Sequence, residues 1–229
     1  MSKQQLIEYI NENNYNRTEE LVKVDQLLSI SSKIKLGIHG SWGSGKTIFG
    51  EMLKLISEIS LDSIDNDLLL SNIKFINDSI VILFDASKED IFNNPLLSIL
   101  KVSIDRFEEL NIECYKKSEE KPKSLFKQIV DVVEGIKIES EENEFDDYYN
   151  TSKIIDKIKK LFDIKRNIVL IIDELDRCDP KYTLRTLNVI KHFFEIDNLA
   201  IIYLYNYEEL WHVISNEYGY KNEIYLQKC

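Results

Sequence analysis

The sequence contains little cysteine, proline or glycine: its 229 residues include 3 Cys, 3 Pro and 7 Gly. Three widely separated cysteines (Cys114, Cys178 and Cys229) exclude a small disulfide-stapled fold and indicate a reduced, intracellular protein. The scarcity of proline and glycine excludes collagen-like and low-complexity chains. The length suits one domain with a sizeable core, so we expect residues 1–229 to form a single domain.

Positive charge and long apolar runs are also scarce. Lys and Arg together number 29 against 40 Asp and Glu, so the formal net charge is −11. An acidic chain does not attract nucleic acid or anionic membranes, and we expect neither as a partner. Apolar runs such as residues 168–172 are far shorter than the roughly 20 residues of a membrane span. The N-terminus lacks the apolar segment of a signal peptide, and the sequence predicts a cytoplasmic protein.

The few glycines are concentrated, and five of them lie between positions 37 and 50. Residues 34–38 alternate between apolar and polar, which predicts a strand, and apolar residues recur at helical spacing over 48–59. The glycines therefore occupy a turn between a strand and a helix. Glycine is favoured where the backbone bends sharply or approaches a ligand closely.

Further strands and helices alternate along the chain. Continuous apolar runs predict strands that are buried on both faces of a parallel sheet, at residues 79–85, 167–173 and 199–205. Periodic apolar residues predict helices at 6–10, 18–28, 95–110, 153–162 and 183–194. This order predicts an α/β fold with three α/β/α layers, a mostly parallel sheet and N-terminal helices within residues 1–30.

Residues 111–165 form a divergent insertion between two of the predicted strands. The run 139–147 holds six acidic residues and no basic one. Such a composition is typical of a solvated segment, so we expect residues 116–150 to be solvated and partly mobile rather than a docking arm.

The glycine-rich turn matches the Walker A pattern, in which two glycines flank four residues and precede Lys and Thr. Its backbone N–H groups can form an anion-binding nest, to which the following helix adds its positive N-terminal end. We expect Lys46 to contact the β- and γ-phosphates and Thr47 to offer its hydroxyl to Mg²⁺. We expect Trp42 to pack over the loop rather than touch a base. The predicted nucleotide-binding residues are Gly40, Ser41, Trp42, Gly43, Ser44, Gly45, Lys46 and Thr47.

Two acidic residues follow the predicted strand at 167–173 in the manner of a Walker B motif. Asp173 is expected to hold Mg²⁺ through water, and Glu174 to act as the general base that polarises the attacking water. Asn206 follows the last predicted strand, where it either senses the γ-phosphate as a catalytic residue or begins a turn. An Asp-Glu pair that merely caps a strand is the alternative for the acidic residues, and the Walker A match disfavours it.

Several motifs of other nucleotide-binding proteins are missing from the sequence. It has no Asn-Lys-x-Asp of GTPases, no Asp-x-x-Gly after the metal strand and no Leu-Ser-Gly-Gly-Gln of transporter ATPases. A strand between the two Walker strands and a Glu after the Walker B Asp are typical of additional-strand ATPases, so we expect ATP and Mg²⁺. Residues 173–176 resemble a helicase DExD box, but the negative charge and the lack of a Ser-Ala-Thr motif oppose a nucleic-acid motor.

Two segments carry a family resemblance. Residues 38–47, with their Trp-Gly-Ser-Gly-Lys core, and residues 171–180, with an Asp-Arg-Cys-x-Pro tail, resemble the KAP family of P-loop NTPases. Residues 84–90, 203–211 and 223–228 are similar to further family segments, although the Trp usual in the first of these is absent. The similarity runs from about Leu27 to the end and is interrupted by the insertion.

The resemblance implies an additional-strand ATPase that works with protein partners and oligomerises, often in signalling or anti-phage defence. The membrane helices of some members are not implied, because the insertion here is acidic. Relatives continue into another strand and a helical lid, so we expect the lid to be lacking. Both ATP hydrolysis that drives a conformational switch and a non-catalytic ATP-dependent adaptor stay open. Asp176 and Arg177 match family positions, where Arg177 forms either a finger across a subunit contact or a capping ion pair.

Overall fold

The computed structural model describes residues 1–13, 16–112, 122–139 and 144–218, and the side chains within these ranges except 134–150 and 217–218. Over these residues the strands are β1 (Lys35–His39), β2 (Ile80–Asp85), β3 (Ile168–Asp173) and β4 (Leu199–Tyr205). The helices are α1 (Lys3–Asn11), α2 (Arg17–Ile30), α3 (Lys46–Glu58), α4 (Asp67–Asn72), α5 (Phe75–Asp78), α6 (Ala86–Glu89), α7 (Pro95–Glu109), α8 (Pro122–Glu139), α9 (Glu144–Leu161), α10 (Pro180–Phe193) and α11 (Tyr207–Tyr218).

The described strands form one four-stranded sheet in the order β1-β4-β3-β2, and every pairing is parallel. This confirms the predicted α/β fold. In space the strand between β1 and β3 is β4, not β2, which lies at the edge. Because parallel strands end on the same side of a sheet, the segments that follow β1, β3 and β4 come together at one edge.

The sheet is covered by helices on both faces, as the continuous apolar strands predict. Along β3, Ile168, Leu170 and Ile172 pack on one face with α7 to α11, whereas Val169 and Ile171 pack on the other with α1 to α5. Every residue of β3 is buried. A strand with two apolar faces is stable only between two layers, so the three-layer α/β/α arrangement follows from its sequence.

Part of the insertion packs against the core instead of being solvated. Leu125 and Ile129 of α8 are buried, as are Ile154 and Ile158 of α9. Ile129, Ile154 and Ile158 belong to the same core cluster as residues of β2 and β3. The expectation of a solvated segment is therefore wrong for the first half of α8. Its apolar residues recur at helical spacing, so one face is buried although the segment is rich in charge. The side chains of the acidic run 139–147 lie outside the described residues.

Within the described ranges, no helix combines the length and the apolar character that a membrane crossing requires.

A buried acid joins α2 to the start of α5. Asp25 is 3% exposed, and its carboxyl oxygens accept backbone hydrogen bonds from Lys74 at 3.1 Å, Phe75 at 3.3 Å and Ile76 at 2.7 Å. The first N–H groups of a helix have no partner within it, so Asp25 supplies the partners that α5 needs.

We expect the substitution Asp25→Ala to lower the free energy of unfolding by about 3 kcal/mol, because it leaves several N–H groups without an acceptor. Urea denaturation followed by circular dichroism measures this loss. The matched control is Asp62→Ala, since Asp62 is exposed, and its effect should stay within about 0.5 kcal/mol. Equal stability of the two variants would contradict the assignment.

Candidate functional site

The loop between β1 and α3 has the backbone shape of an anion nest. Gly43 and Gly45 have φ values of +75° and +87°, which side chains rarely tolerate. A Cβ on Gly40 would lie 2.5 Å from Ser44 Oγ, so the loop has little room for a side chain there. The Gly40 N–H donates to the Tyr205 carbonyl at 3.1 Å and ties the loop to the end of β4. The predicted glycines are thus needed where they lie.

Lys46 is the first residue of α3 and bends back over this loop. Its Nζ donates to the Gly40 carbonyl at 2.8 Å and to the Ser41 carbonyl at 3.2 Å. The N-terminal end of α3 and the ammonium group of Lys46 therefore lie together at this loop. Such an arrangement is a fit for a phosphate chain.

The two Walker segments meet in the structure. The Thr47 hydroxyl lies 3.4 Å from Glu174 Oε1, although 127 positions separate the two residues. Asp173, the last residue of β3, is 2% exposed. Burial raises the pKa of Asp173, while hydrogen bonds from Thr47 and from the Glu174 N–H act in the opposite direction. The structure therefore brings the predicted metal residues and the predicted base to one place.

Glu174 adopts an unusual backbone conformation. Its φ is +58°, in the left-handed region, and its N–H donates to Asp173 Oδ1 at 2.9 Å. Its Oε2 lies 2.6 Å from Arg177 Nε. Burial raises the pKa of Glu174, and the charge of Arg177 partly opposes this. Left-handed non-glycine residues cluster at functional sites, where the surrounding structure holds them.

Trp42 contacts the segment that follows β3. Its Nε1–H donates to Asp176 Oδ2 at 3.1 Å, and the Arg177 guanidinium carbon lies 5.7 Å from the centre of its ring. The side chain is 54% exposed. Trp42 thus lies across the gap between the two Walker segments. Arg177 forms an ion pair with Glu174, the proposed base, and, among the described residues, no side-chain capping hydrogen bond is formed at this turn. The finger across a subunit contact stays a prediction.

Asp85 is a neighbour of the site that sequence analysis missed. It ends β2 and lies opposite Asp173 in the register of the sheet. Burial raises the pKa of Asp85, but Lys88, at 2.6 Å, and Ser87 outweigh this, so the pKa lies below its ordinary value. The charge of Asp85 in turn raises the pKa of Asp173. The sequence did offer a signal for Asp85, since it is an acidic residue at the end of a predicted buried strand, as Asp173 is.

Arg17 is a second missed residue, and nothing in its sequence surroundings points to the site. It begins α2, and its Nη2 donates to the Ser44 carbonyl of the loop. The guanidinium carbon also lies 5.8 Å from the centre of the Phe49 ring, and Glu20 forms an ion pair with it. Arg17 therefore supports the loop from the side of the N-terminal helices.

We expect Arg17→Ala to weaken ATP binding about fivefold, since a charged hydrogen bond that orders the loop is lost, at a cost of about 1 kcal/mol. Titration with a fluorescent ATP analogue measures the dissociation constant. Lys23→Ala is the matched control, because Lys23 is an exposed cation on the same helix. If both variants bind as the wild type does, Arg17 has no part in ordering the loop.

Asn206 lies at the same edge of the sheet. Its Oδ1 accepts the Glu208 N–H at 3.2 Å and its carbonyl accepts the Leu210 N–H at 3.0 Å, so it begins α11. Together with Gly40 and Ser41 it also lines a cavity of about 580 Å³. The structure therefore places Asn206 beside the loop and gives it turn-starting contacts. A sensor role stays a prediction.

The oxygen donors at this site are compatible with a Mg²⁺ ion that is also bound by a ligand's phosphates. Among the described residues, no cluster of three or more His, Cys, Asp or Glu side chains is arranged to hold a metal. Mg²⁺ commonly takes one or two protein groups and completes its shell with substrate phosphates and water. The hydroxyl of Thr47 and the carboxyl group of Asp173 beside the phosphate loop fit that pattern.

Comparison with known proteins agrees with this geometry. The family described as the KAP family P-loop domain matches residues 3–229. No curated protein matches the sequence. The family match covers nearly the whole chain, including both Walker segments and the insertion between them, and it implies nucleotide binding. The chain belongs to the KAP family of P-loop domains.

Proposed function

We propose that this protein is an ATPase that hydrolyses ATP with the help of Mg²⁺ and thereby switches the conformation of a protein complex. The observation that supports this most directly is the contact between Thr47 and Glu174, next to Asp173. Nucleotide binding requires only the loop. Hydrolysis additionally requires a carboxylate base beside the metal-binding residues.

The phosphate loop and Lys46 bind the triphosphate in this proposal. Backbone N–H groups of the glycine-rich loop face the phosphate oxygens, while the Gly40 and Ser44 N–H groups keep their bonds to the Tyr205 and Ser41 carbonyls. Lys46 exchanges its two loop carbonyls for β- and γ-phosphate oxygens. Thr47 and Asp173 would hold Mg²⁺, which neutralises charge on the phosphate oxygens when it is bound. Because Asp173 is buried beside Asp85, its negative charge is costly until a cation lies next to it.

Glu174 has the position and the chemistry of the base. One of its oxygens, Oε1, lies near the Thr47 hydroxyl, at the loop, and is the atom that accepts a proton from water. Burial raises its pKa, which makes the carboxylate a stronger proton acceptor than an exposed glutamate. Asn206, on the other side of the loop, is proposed to orient the γ-phosphate with its amide.

The experiment that tests the proposal measures phosphate release and nucleotide binding side by side. We expect release from ATP in the presence of Mg²⁺ and its loss when EDTA removes the metal. Binding of ATP without release, at saturating ATP and at protein concentrations that allow self-association, would identify the adaptor function instead. GTP serves as the comparison nucleotide, because the sequence has no guanine-reading motif.

We also propose protein partners and self-association as the setting of this activity. Contacts to the γ-phosphate and Mg²⁺ differ between the ATP and ADP states, and such differences move the surrounding segments. Analytical ultracentrifugation with ATP, ADP and no nucleotide tests this, using the Glu174→Gln variant to preserve ATP. A sedimentation coefficient that is the same in all three conditions would contradict a nucleotide-dependent assembly.

A further inference from the structure

A chain of contacts runs from the tip of the phosphate loop to the proposed base. Trp42 donates a hydrogen bond to Asp176 at 3.1 Å, and its ring lies against Arg177, with 5.7 Å from the guanidinium carbon to the ring centre. Arg177 Nε in turn lies 2.6 Å from Glu174 Oε2. Trp42 is separated from these residues by more than 130 positions, so the contact exists only in the folded protein.

The two carboxylate oxygens of Glu174 have different contacts. Oε2 is paired with Arg177, whereas Oε1 faces the Thr47 hydroxyl at 3.4 Å. A contact that holds one oxygen limits the positions of the other, because both are bonded to the same planar carboxylate carbon. The other oxygen then stays available for a water molecule.

Arg177 needs support to act as such an anchor. Its side chain is 49% exposed, and ion pairs at that exposure contribute little because both side chains must be ordered. The Trp42 ring beside the guanidinium, and the Asp176 carboxylate that holds the Trp42 indole, restrict the motion of Arg177. A guanidinium against an aromatic face is attracted to it, so the ring favours one position of the arginine.

We propose that Arg177 is a positioning residue for Glu174 and that Trp42 sets the position of Arg177, so that the phosphate loop controls the orientation of the base. The proposal rests on the proposed ATPase function. It assigns to Trp42 a role distinct from contact with the nucleotide: movement of the loop tip changes the orientation of the carboxylate. Arg177 and Trp42 then act as one unit.

The kinetic test is a double-mutant cycle at saturating ATP. We expect Arg177→Ala to lower kcat about 10- to 100-fold while the dissociation constant of ATP changes no more than about twofold, because misplacing the base costs rate and not binding. Trp42→Ala should lower kcat about 3- to 10-fold, and the double variant should be no slower than Arg177→Ala alone. Arg177→Lys should restore part of kcat, since an ammonium group can still pair with the carboxylate. Arg185→Ala is the matched control, an exposed arginine on α10.

Effects of Trp42→Ala and Arg177→Ala that multiply in the double variant would overturn the proposal, as would a higher kcat for Arg177→Ala. The first result means that the two residues act separately. The second means that Arg177 restrains the base instead of orienting it.

A spectroscopic test does not depend on hydrolysis. The chain has 2 tryptophans, so Trp211→Phe leaves Trp42 as the single reporter. We expect Glu174→Gln to shift the emission of Trp42, because the neutral amide loosens Arg177 from its place beside the ring, and to cause no shift when Arg177 is already alanine. If the wild type releases no phosphate and the shift is still seen, the ATPase function fails and the coupling stands. An emission spectrum that does not respond to Glu174→Gln overturns the coupling.

Discussion

Replacing Lys46 with alanine is expected to weaken ATP binding at least about 100-fold, which corresponds to about 2.8 kcal/mol at about 1.4 kcal/mol per tenfold change. The ammonium group of Lys46 is held over the loop by the Gly40 and Ser41 carbonyls, 2.8 Å and 3.2 Å away. It is the cation that the loop itself presents to a phosphate chain, and a charged donor to phosphate is among the stronger hydrogen bonds in proteins. Titration with a fluorescent ATP analogue measures the dissociation constant.

The fold should survive this substitution. Lys46 lies at the start of α3 and its carbonyl partners are in an exposed loop, so we expect the melting temperature to change by only about 2 °C. Lys54→Ala is the matched control, because Lys54 lies on the same helix, two turns further along, and pairs with Glu58. Equal ATP affinity of wild type and Lys46→Ala would refute the assignment of the phosphate site.

Glu174→Gln is expected to retain ATP binding and to lower phosphate release about 10²- to 10⁴-fold, the usual contribution of a general base. The amide has the same shape as the carboxylate, but it cannot accept a proton from water and, being neutral, it pairs less strongly with Arg177. Because the substitution keeps the side-chain volume, the left-handed backbone at this position carries no additional strain. A phosphate-release assay at saturating ATP measures the rate, and fluorescent-nucleotide titration measures binding.

The control for this substitution is Glu19→Gln, which removes one charge from an exposed position of α2. Unchanged phosphate release in Glu174→Gln would exclude Glu174 as the base, and Asp85, next to Asp173 in the sheet, is then the carboxyl group to test. If the wild type releases phosphate no faster than the Glu174→Gln variant, the result would instead favour an adaptor that binds ATP without hydrolysing it.

The strands and several helices could be predicted from sequence because their signals are local, whereas α8 and α11 were not predicted. The three later strands were expected at 79–85, 167–173 and 199–205, and the structure has them at Ile80–Asp85, Ile168–Asp173 and Leu199–Tyr205. A run of β-branched and apolar residues favours extended backbone and burial whatever lies elsewhere in the chain. The phosphate loop is equally local, since glycines, Lys46 and Thr47 lie within a single turn.

Features that depend on distant neighbours were missed or misjudged. The burial of Leu125 and Ile129 was not predicted, because the insertion was judged by its overall charge. A helix can carry its charged residues on one face and bury the other. Arg17 reaches the loop from a separate helix, and Asp85 is part of the site only because β2 lies beside β3. No spacing rule in the sequence connects these residues to the loop.

By itself the sequence determined the four strands, the glycine-rich turn of the phosphate loop and the acidic end of β3, because each depends on residues within a few positions of one another. The tertiary structure decided that β4 lies between β1 and β3, that Thr47 meets Glu174, and that Trp42 lies beside Arg177. The contacts of Thr47 and Trp42 join segments more than 120 positions apart. They arise because two apolar faces of one sheet must both be covered, and the packing that covers them sets which strand ends are neighbours.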